Sequence, residues 1–221
     1  MATDSAQARS FDFANPKNNV YRYDAEKLHI RDRILISEGG NPQIFAAFSR
    51  RLALESETKG GIESALKKAP TLMNRSARAW ETETKIKWPK AEIANVRDSR
   101  STYSIIVGWS ERREKILAGT VADDPSLNSL APENGFLVQC VNEDTRKAIE
   151  EMLKAKFYPK LRPADPPAPE AVIEECRTCI KKASELEEAR LGFKRMGGPI
   201  RITLLDKGNQ PKSFLKEDIT C

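Results

Sequence analysis

The sequence has few of the residues from which most catalytic and metal sites are built. Its 221 residues include one histidine, His29, and four cysteines. Its glycines form neither a GxGxxG motif nor a P-loop, so no nucleotide-binding loop is predicted. There is no run of about eighteen apolar residues that could span a membrane. The first ten residues also lack the basic and apolar regions of a secretory signal. We therefore expect a protein of the cytoplasm or of a virion that is not secreted.

The cysteines are too few for a disulfide framework in a chain of this length. Cys176 and Cys179 have CxxC spacing, but a structural zinc site needs four ligands, and no second pair of cysteine or histidine ligands accompanies them. A redox-active pair belongs at a helix N-terminus, whereas this pair falls inside a predicted helix, on its apolar side. The pattern predicts two small core residues and neither a metal nor a cofactor.

The remaining catalytic candidates are also weak. His29 has no nucleophile motif near it in the sequence, so we interpret it as a partly buried or surface residue. The carboxylate pairs Glu187-Glu188 and Asp123-Asp124 are interpreted as solvated charge. No catalytic residue is predicted, and the chain is expected not to be an enzyme. An enzyme with a carboxylate or metal site that the sequence does not locate is kept as a second alternative.

Charge is distributed unevenly along the chain. The net charge of +5 comes from 37 basic and 32 acidic residues. Between residues 67 and 100, nine basic residues stand against four acidic ones, a local excess of +5. A concentrated positive region favours an anionic partner.

Three basic segments, at 85–90, 154–162 and 193–201, also contain aromatic rings. Cations that neutralise phosphate beside rings that stack on bases are typical of single-strand binding proteins. Cations also collect at helix C-termini, and rings close the edges of cores, which offers a purely structural interpretation. The predicted nucleic-acid contacts are Lys85, Lys87, Trp88, Lys90, Arg97, Arg100, Lys156, Tyr158, Lys160, Arg162, Phe193, Lys194 and Arg195.

The hydrophobic periodicity predicts a mixed α+β fold. Helices are predicted at 42–56, in a short piece stopped by Pro70, at 71–83, after Asn142 and at about 169–191. A hairpin is predicted from strands at 103–109 and 115–121, with further strands at 135–141 and 200–205. The sheet is expected to be small, mainly antiparallel and covered by helices.

These elements predict an extended arm at 1–20, a single α+β domain at 21–206 and a tail at 207–221. The domain would have a helical part at 21–90 and a strand-containing part at 91–206. The proline-rich stretch 163–169 could either separate two domains or cross one.

Together the basic segments and the polar arms predict a structural protein of the coat or nucleocapsid type, of viral origin. It would self-assemble into a homo-oligomer through its arms and bind nucleic acid without sequence specificity, with RNA preferred over DNA and no membrane partner. The first alternative is a protein-binding assembly or accessory factor whose basic face meets an acidic partner without nucleic acid.

Overall fold

The computed structural model describes residues 2–3, 7–8, 21–22, 27–31, 34–59, 61–87, 101–131, 137–138, 142–157, 168–194, 196, 198–204 and 212–219. Four helices and antiparallel strands confirm the predicted α+β class. The chain forms two compact units. The first unit comprises Met1–Lys27, Pro132–Leu204 and Lys212–Cys221, and the second comprises Leu28–Ala131 and Leu205–Pro211. The arm, domain and tail boundaries given above stay a prediction.

The elements are numbered here in chain order. The strands are β1 (Ala2–Thr3), β2 (Gln7–Ala8), β3 (Tyr21–Arg22), β4 (Leu28–Arg31), β5 (Ile34–Ser37), β6 (Gly39–Gly40), β7 (Thr102–Ser110), β8 (Lys115–Ala122), β9 (Ser129–Leu130), β10 (Gly198–Leu204) and β11 (Lys212–Ile219). The described helices are α1 (Pro42–Lys59), α2 (Gly61–Lys87), α3 (Glu143–Phe157) and α4 (Pro169–Leu191), with a 3-10 turn at Pro125–Leu127. None of these helices has the length and apolar character needed to span a bilayer.

The second unit is an antiparallel sheet with α1 and α2 on one face. Its strand order is β4-β5-β7-β8-β9, and β6 also pairs with β7. The predicted hairpin of β7 and β8 is confirmed, with Tyr103 opposite Ala122 and Ser110 opposite Lys115. Along β7 every second residue is buried, from Thr102 to Ser110. This alternation identifies one side of the sheet as a core face.

The core of the second unit joins strands and helices that are far apart in the sequence. Ile36 and Ile106 from the sheet pack with Phe48 of α1 and Met73 of α2. Fully buried branched and aromatic side chains of this kind supply most of the favourable free energy of folding. The helical segment before residue 90 therefore belongs to the same core as the hairpin that follows it.

The start of α1 and the middle of α2 test two predictions made from the sequence. Asn41 is the predicted N-cap, and its Oδ1 accepts from the backbone N–H groups of Gln43 at 2.9 Å and Ile44 at 3.3 Å. The helix stop predicted at Pro70 is wrong, because α2 is continuous and contains Pro70. Proline removes one backbone hydrogen bond from a helix. Burial of the neighbouring Met73 and of its partners in the core offsets that loss.

Two glycines let α2 lie close to the sheet. A Cβ atom added at Gly108 would stand 3.0 Å from Cβ of Ile62, and one added at Gly119 would stand 3.0 Å from Cδ2 of Leu66. Since these strand positions lack side chains, the apolar residues of α2 fill the space against the backbone.

The first unit combines α3 and α4 with a sheet of order β1-β10-β11 and a separate β2-β3 pair. Asn142 caps α3 as predicted, accepting from the N–H groups of Asp144 and Thr145 at 3.0 Å each. The predicted span of α4 is confirmed. Strand β11, at which no strand was predicted, pairs along β10 from Gly198 to Leu204. Of the predicted strand at 135–141, only 137–138 are described, and they are not part of a strand.

Candidate functional site

The clearest polar pair in the second unit lies where β4 meets the bend between β5 and β6. His29 is paired with Ile36 across the strands, and Glu38 follows Ile36 by two residues. Both side chains therefore lie on the same face of the sheet. Nε2 of His29 is 3.1 Å from Oε2 of Glu38, and the two side chains are 19% and 11% exposed.

Helix α1 contacts this pair through Phe45. The rings of His29 and Phe45 have their centroids 4.8 Å apart. Phe45 is itself buried in the core, so one side of the imidazole is shielded from solvent. Helix α1, capped by Asn41, begins at Pro42, four residues after Glu38. The positive end of a helix dipole favours a carboxylate nearby.

Further hydrogen bonds fix the bend itself. The hydroxyl of Ser104 donates to the carbonyl of Ser37 at 2.6 Å, and the N–H of Ile105 donates to Oγ of Ser37 at 2.7 Å. The N–H of Asn41 donates to the carbonyl of Ser101 at 3.0 Å. Gly40 adopts a left-handed conformation with φ of 82°. A glycine suits this position because other residues are strained there.

The chemistry available to the pair is proton transfer. A carboxylate that orients an imidazole is the arrangement found around histidine general bases. In the described part of the chain, no serine, threonine or cysteine is recorded in a hydrogen bond with His29. His29 was a candidate in the sequence, whereas Glu38 was not. Their contact depends on the register of β4 against β5, which no local pattern in the sequence gives.

The predicted nucleic-acid residues that the structure describes are divided between the two units. In the second unit, Lys85 and Lys87 stand in the last turn of α2, and Nζ of Lys85 is 2.7 Å from Oε1 of Glu81. In the first unit, Nζ of Lys156 is 3.2 Å from Oε2 of Glu175. Carboxylates therefore already neutralise two of the predicted phosphate contacts.

Phe193 and Lys194, in the first unit, follow the C-cap of α4 and are half-buried. The other predicted contacts lie outside the described residues: Trp88, Lys90, Arg97, Arg100, Tyr158, Lys160, Arg162 and Arg195.

The cysteine pair behaves as core residues in the first unit. Cys179 is buried beside Ile149 and Ala183, and Cys176 is partly buried. Burial raises the pKa of the Cys176 thiol and raises the pKa of the Cys179 thiol to about 12. Both thiols are therefore protonated and poorly nucleophilic at neutral pH. Among the described residues, no group of three or more histidine, cysteine or acidic side chains could hold a metal ion.

The interpretation of Glu187 as solvated charge is wrong. Its side chain is 3% exposed, Oε1 accepts from the hydroxyl of Thr145 at 2.7 Å, and Oε2 is 2.8 Å from Nη2 of Arg190. Glu187 lies four residues after Ala183, on the buried side of α4, whereas Glu188 is exposed. Helical spacing could have revealed this burial, but its polar partner comes from α3, which is distant in the sequence.

No family model matches the sequence, and no curated protein matches it. Solved structures do match. Anbu (ancestral beta-subunit) from Yersinia bercovieri has a TM-score of 0.58 at 12% identity, over 98% of this chain and 82% of that one. The chain has an Anbu-like fold. The Gly-1 mutant of Anbu from Hyphomicrobium sp. strain MC1 has a TM-score of 0.57 at 13% identity, over 99% of this chain and 83% of that one.

This similarity corrects the predicted function. The matching structures are Anbu proteins and not coat or nucleocapsid proteins, so the coat or nucleocapsid prediction and its virion location are wrong. The similarity to Anbu also gives no support to the expectation that the chain is not an enzyme.

Proposed function

We propose that this chain is a subunit of a self-assembled, Anbu-like complex and that its reaction class is peptide-bond hydrolysis. The observation that carries the proposal is the similarity over 98% of the chain to a protein named as a beta-subunit. Because so much of the chain is aligned, the similarity concerns its overall architecture and not one shared motif. A fold by itself does not fix a function, so the proposal has to be tested directly.

We assign proton transfer in this reaction to His29, held by Glu38. Hydrolysis of a peptide by water needs a group that accepts a proton from that water as its oxygen bonds to the carbonyl carbon. The same group then donates the proton to the amine as the C–N bond breaks. The imidazole of His29 is partly exposed, so it can exchange protons, and its bond to Glu38 at 3.1 Å fixes its orientation. The charge of the carboxylate would stabilise the imidazolium that forms.

The first experiment measures assembly and cleavage on the same preparation. Native mass spectrometry is expected to give a multiple of 24.8 kDa. A panel of fluorogenic peptides is expected to be cleaved, and the variants His29→Asn and Glu38→Gln should lower kcat by about 100-fold or more. Glu83→Gln, an exposed acid on α2, serves as the matched control and should leave kcat unchanged.

The two parts of the proposal fail in different ways. A monomer at every concentration would contradict the assembly. An intact assembly that cleaves no peptide would leave the subunit proposal standing and reject peptide hydrolysis. Cleavage that persists in both variants would reject only the assignment of proton transfer to His29.

A further inference from the structure

Part of the solvent-facing side of α1 and α2, formed by residues 42–54 and 64–80, carries cations without acids. Residues 42–54 of α1 include two arginines and no acid, and residues 64–80 of α2 include four cations and no acid. All six cations are exposed. We call them the basic face; its members are Arg50, Arg51, Lys67, Lys68, Arg75 and Arg78.

Hydrogen bonds between the two helices bring these cations together. Nη1 of Arg51 donates to Oγ of Ser76 at 3.1 Å, and Nε1 of Trp80 donates to Oε1 of Gln43 at 2.8 Å. The helices therefore run antiparallel and side by side. Arg75 directly precedes Ser76 in the sequence, so the arginines of both helices lie at the same level of the pair.

None of the acids that the structure describes is recorded as neutralising the basic face. Among the described residues, no carboxylate is recorded in a bond with any of the six cations: Nε of Arg50 donates to the carbonyl of Ala46, and Arg51 donates to a hydroxyl. Two of the flanking acids are engaged elsewhere, Glu63 with Ser110 and Glu81 with Lys85, and a third, Glu55, lies just beyond the acid-free part of α1. Clustered like charges repel one another, and a partner of opposite charge relieves that repulsion.

The rest of this surface suits a protein partner. Leu54 is 62% exposed and lies three and four residues after Arg51 and Arg50, one helical turn away. An exposed apolar residue with arginines around it is typical of protein interfaces. Trp80 of α2 is half-buried, and its N–H is bonded to Gln43. A surface that binds single-stranded nucleic acid would instead offer rings for bases to stack on.

We propose that the basic face is a docking surface for an acidic segment of a partner protein, with Leu54 as the apolar contact at its edge. The attraction comes from the six cations, and the apolar contact adds specificity. This interaction is independent of the proposed peptidase activity, because none of the residues involved belongs to the His29 and Glu38 pair.

Fluorescence anisotropy on the full chain tests the proposal with a labelled helical peptide that carries glutamate along one face and leucine along another. A matched peptide has glutamine in place of every glutamate. At low salt the glutamate peptide should bind about tenfold more tightly, and its affinity should fall as salt is added. Arg75→Glu with Arg78→Glu should weaken it at least about tenfold.

The matched control reverses the same charge elsewhere in the second unit. Arg112 and Arg113 lie in the exposed turn between β7 and β8, so Arg112→Glu with Arg113→Glu changes the net charge equally. This control should bind the glutamate peptide like the unchanged chain. Leu54→Ala should weaken binding several-fold and leave its salt dependence unchanged. The double variant Arg75→Gln with Arg78→Gln removes the two charges without reversing them and should also weaken binding. Circular dichroism checks that both double variants stay folded.

Three outcomes would overturn the proposal. The first is equal binding of the two peptides, or binding of neither. The second is an equal loss of affinity in the Arg112 and Arg113 control. The third is a single-stranded RNA oligonucleotide that binds more tightly than the glutamate peptide and depends on Arg75 and Arg78.

Discussion

The ring of Tyr103 occupies the space where a side chain of Gly39 would lie. The two residues are paired across β6 and β7, and a Cβ atom added at Gly39 would overlap the Cδ2, Cε2 and Cζ atoms of Tyr103. Gly39 directly follows Glu38, so this close approach also sets the position of the carboxylate that bonds His29. Glycine at this position is a packing requirement of the candidate site.

Replacement of Gly39 by alanine should therefore destabilise the second unit. We expect Gly39→Ala to lower the free energy of unfolding by about 1 to 3 kcal/mol, because overpacking forces the ring or the strand to move. Urea denaturation measures this change. The double variant Gly39→Ala with Tyr103→Ala should lose less than the sum of the two single variants. An alanine variant as stable as the unchanged chain would contradict the described packing.

The close approach of α2 to the sheet gives a second prediction. Gly108→Ala places a methyl group 3.0 Å from Ile62, so we expect a loss of about 1 to 3 kcal/mol in the free energy of unfolding. Shortening Ile62 to valine in the same chain should recover part of that loss. Thermal and urea unfolding of the four chains of this cycle measure the coupling. Strict additivity would show that the two residues do not touch.

The buried carboxylate of the first unit gives a third prediction. Glu187→Ala leaves the hydroxyl of Thr145 without its acceptor and removes the ion pair with Arg190. We expect a loss of about 2 to 4 kcal/mol, whereas Thr145→Val should cost about 1 kcal/mol. A double-mutant cycle isolates the bond. Exposed Glu188→Ala is the neighbouring control and should change stability little.

The buried thiols give a pH prediction. The unfolded thiol loses its proton near pH 8.5 to 9, whereas burial raises the pKa of Cys179 to about 12. Between these values the unfolded state binds fewer protons than the folded state, so stability falls as pH rises, by at most about 1.4 kcal/mol per pH unit for one thiol. Below pH 8 this thiol contributes no pH dependence.

Urea unfolding at pH 8, 9 and 10 under reducing conditions measures that slope. The variant Cys179→Ala is less stable throughout, but its stability should fall less steeply with pH. Identical slopes in the two chains would show that Cys179 ionises in the folded state as readily as in the unfolded one.

Local patterns in the sequence were sufficient for most helices and for the hairpin. Asn41 and Asn142 are caps that can be identified from a few residues, and the β-rich residues from Tyr103 to Trp109 predicted a strand that the structure contains. Pro70 misled the prediction, because the tertiary contacts that keep α2 continuous come from the sheet and from α1. Local propensity gives way to packing at such a position.

The contacts of the candidate site could not be predicted from local patterns, because they join residues on different strands or helices. Nothing near His29 in the sequence points to Glu38, because their contact needs the register of β4 against β5. Glu187 likewise meets Thr145 only when α3 and α4 pack together. The basic-aromatic segments were a compositional signal, and composition alone does not distinguish an anionic protein from a nucleic acid.

The small sheet of the first unit determines when in synthesis that unit can fold. Strand β10 pairs with β1 on one side, with Ala2 opposite Ile202, and with β11 on the other, with Gly198 opposite Ile219. Its strands thus lie far apart in the sequence, and the last of them, β11, is synthesised well after β9. Strands β4 to β9, in contrast, all lie between residues 28 and 130. The second unit can form its sheet while synthesis continues, and the first unit completes its sheet afterwards, at the higher entropic cost of long-range pairing.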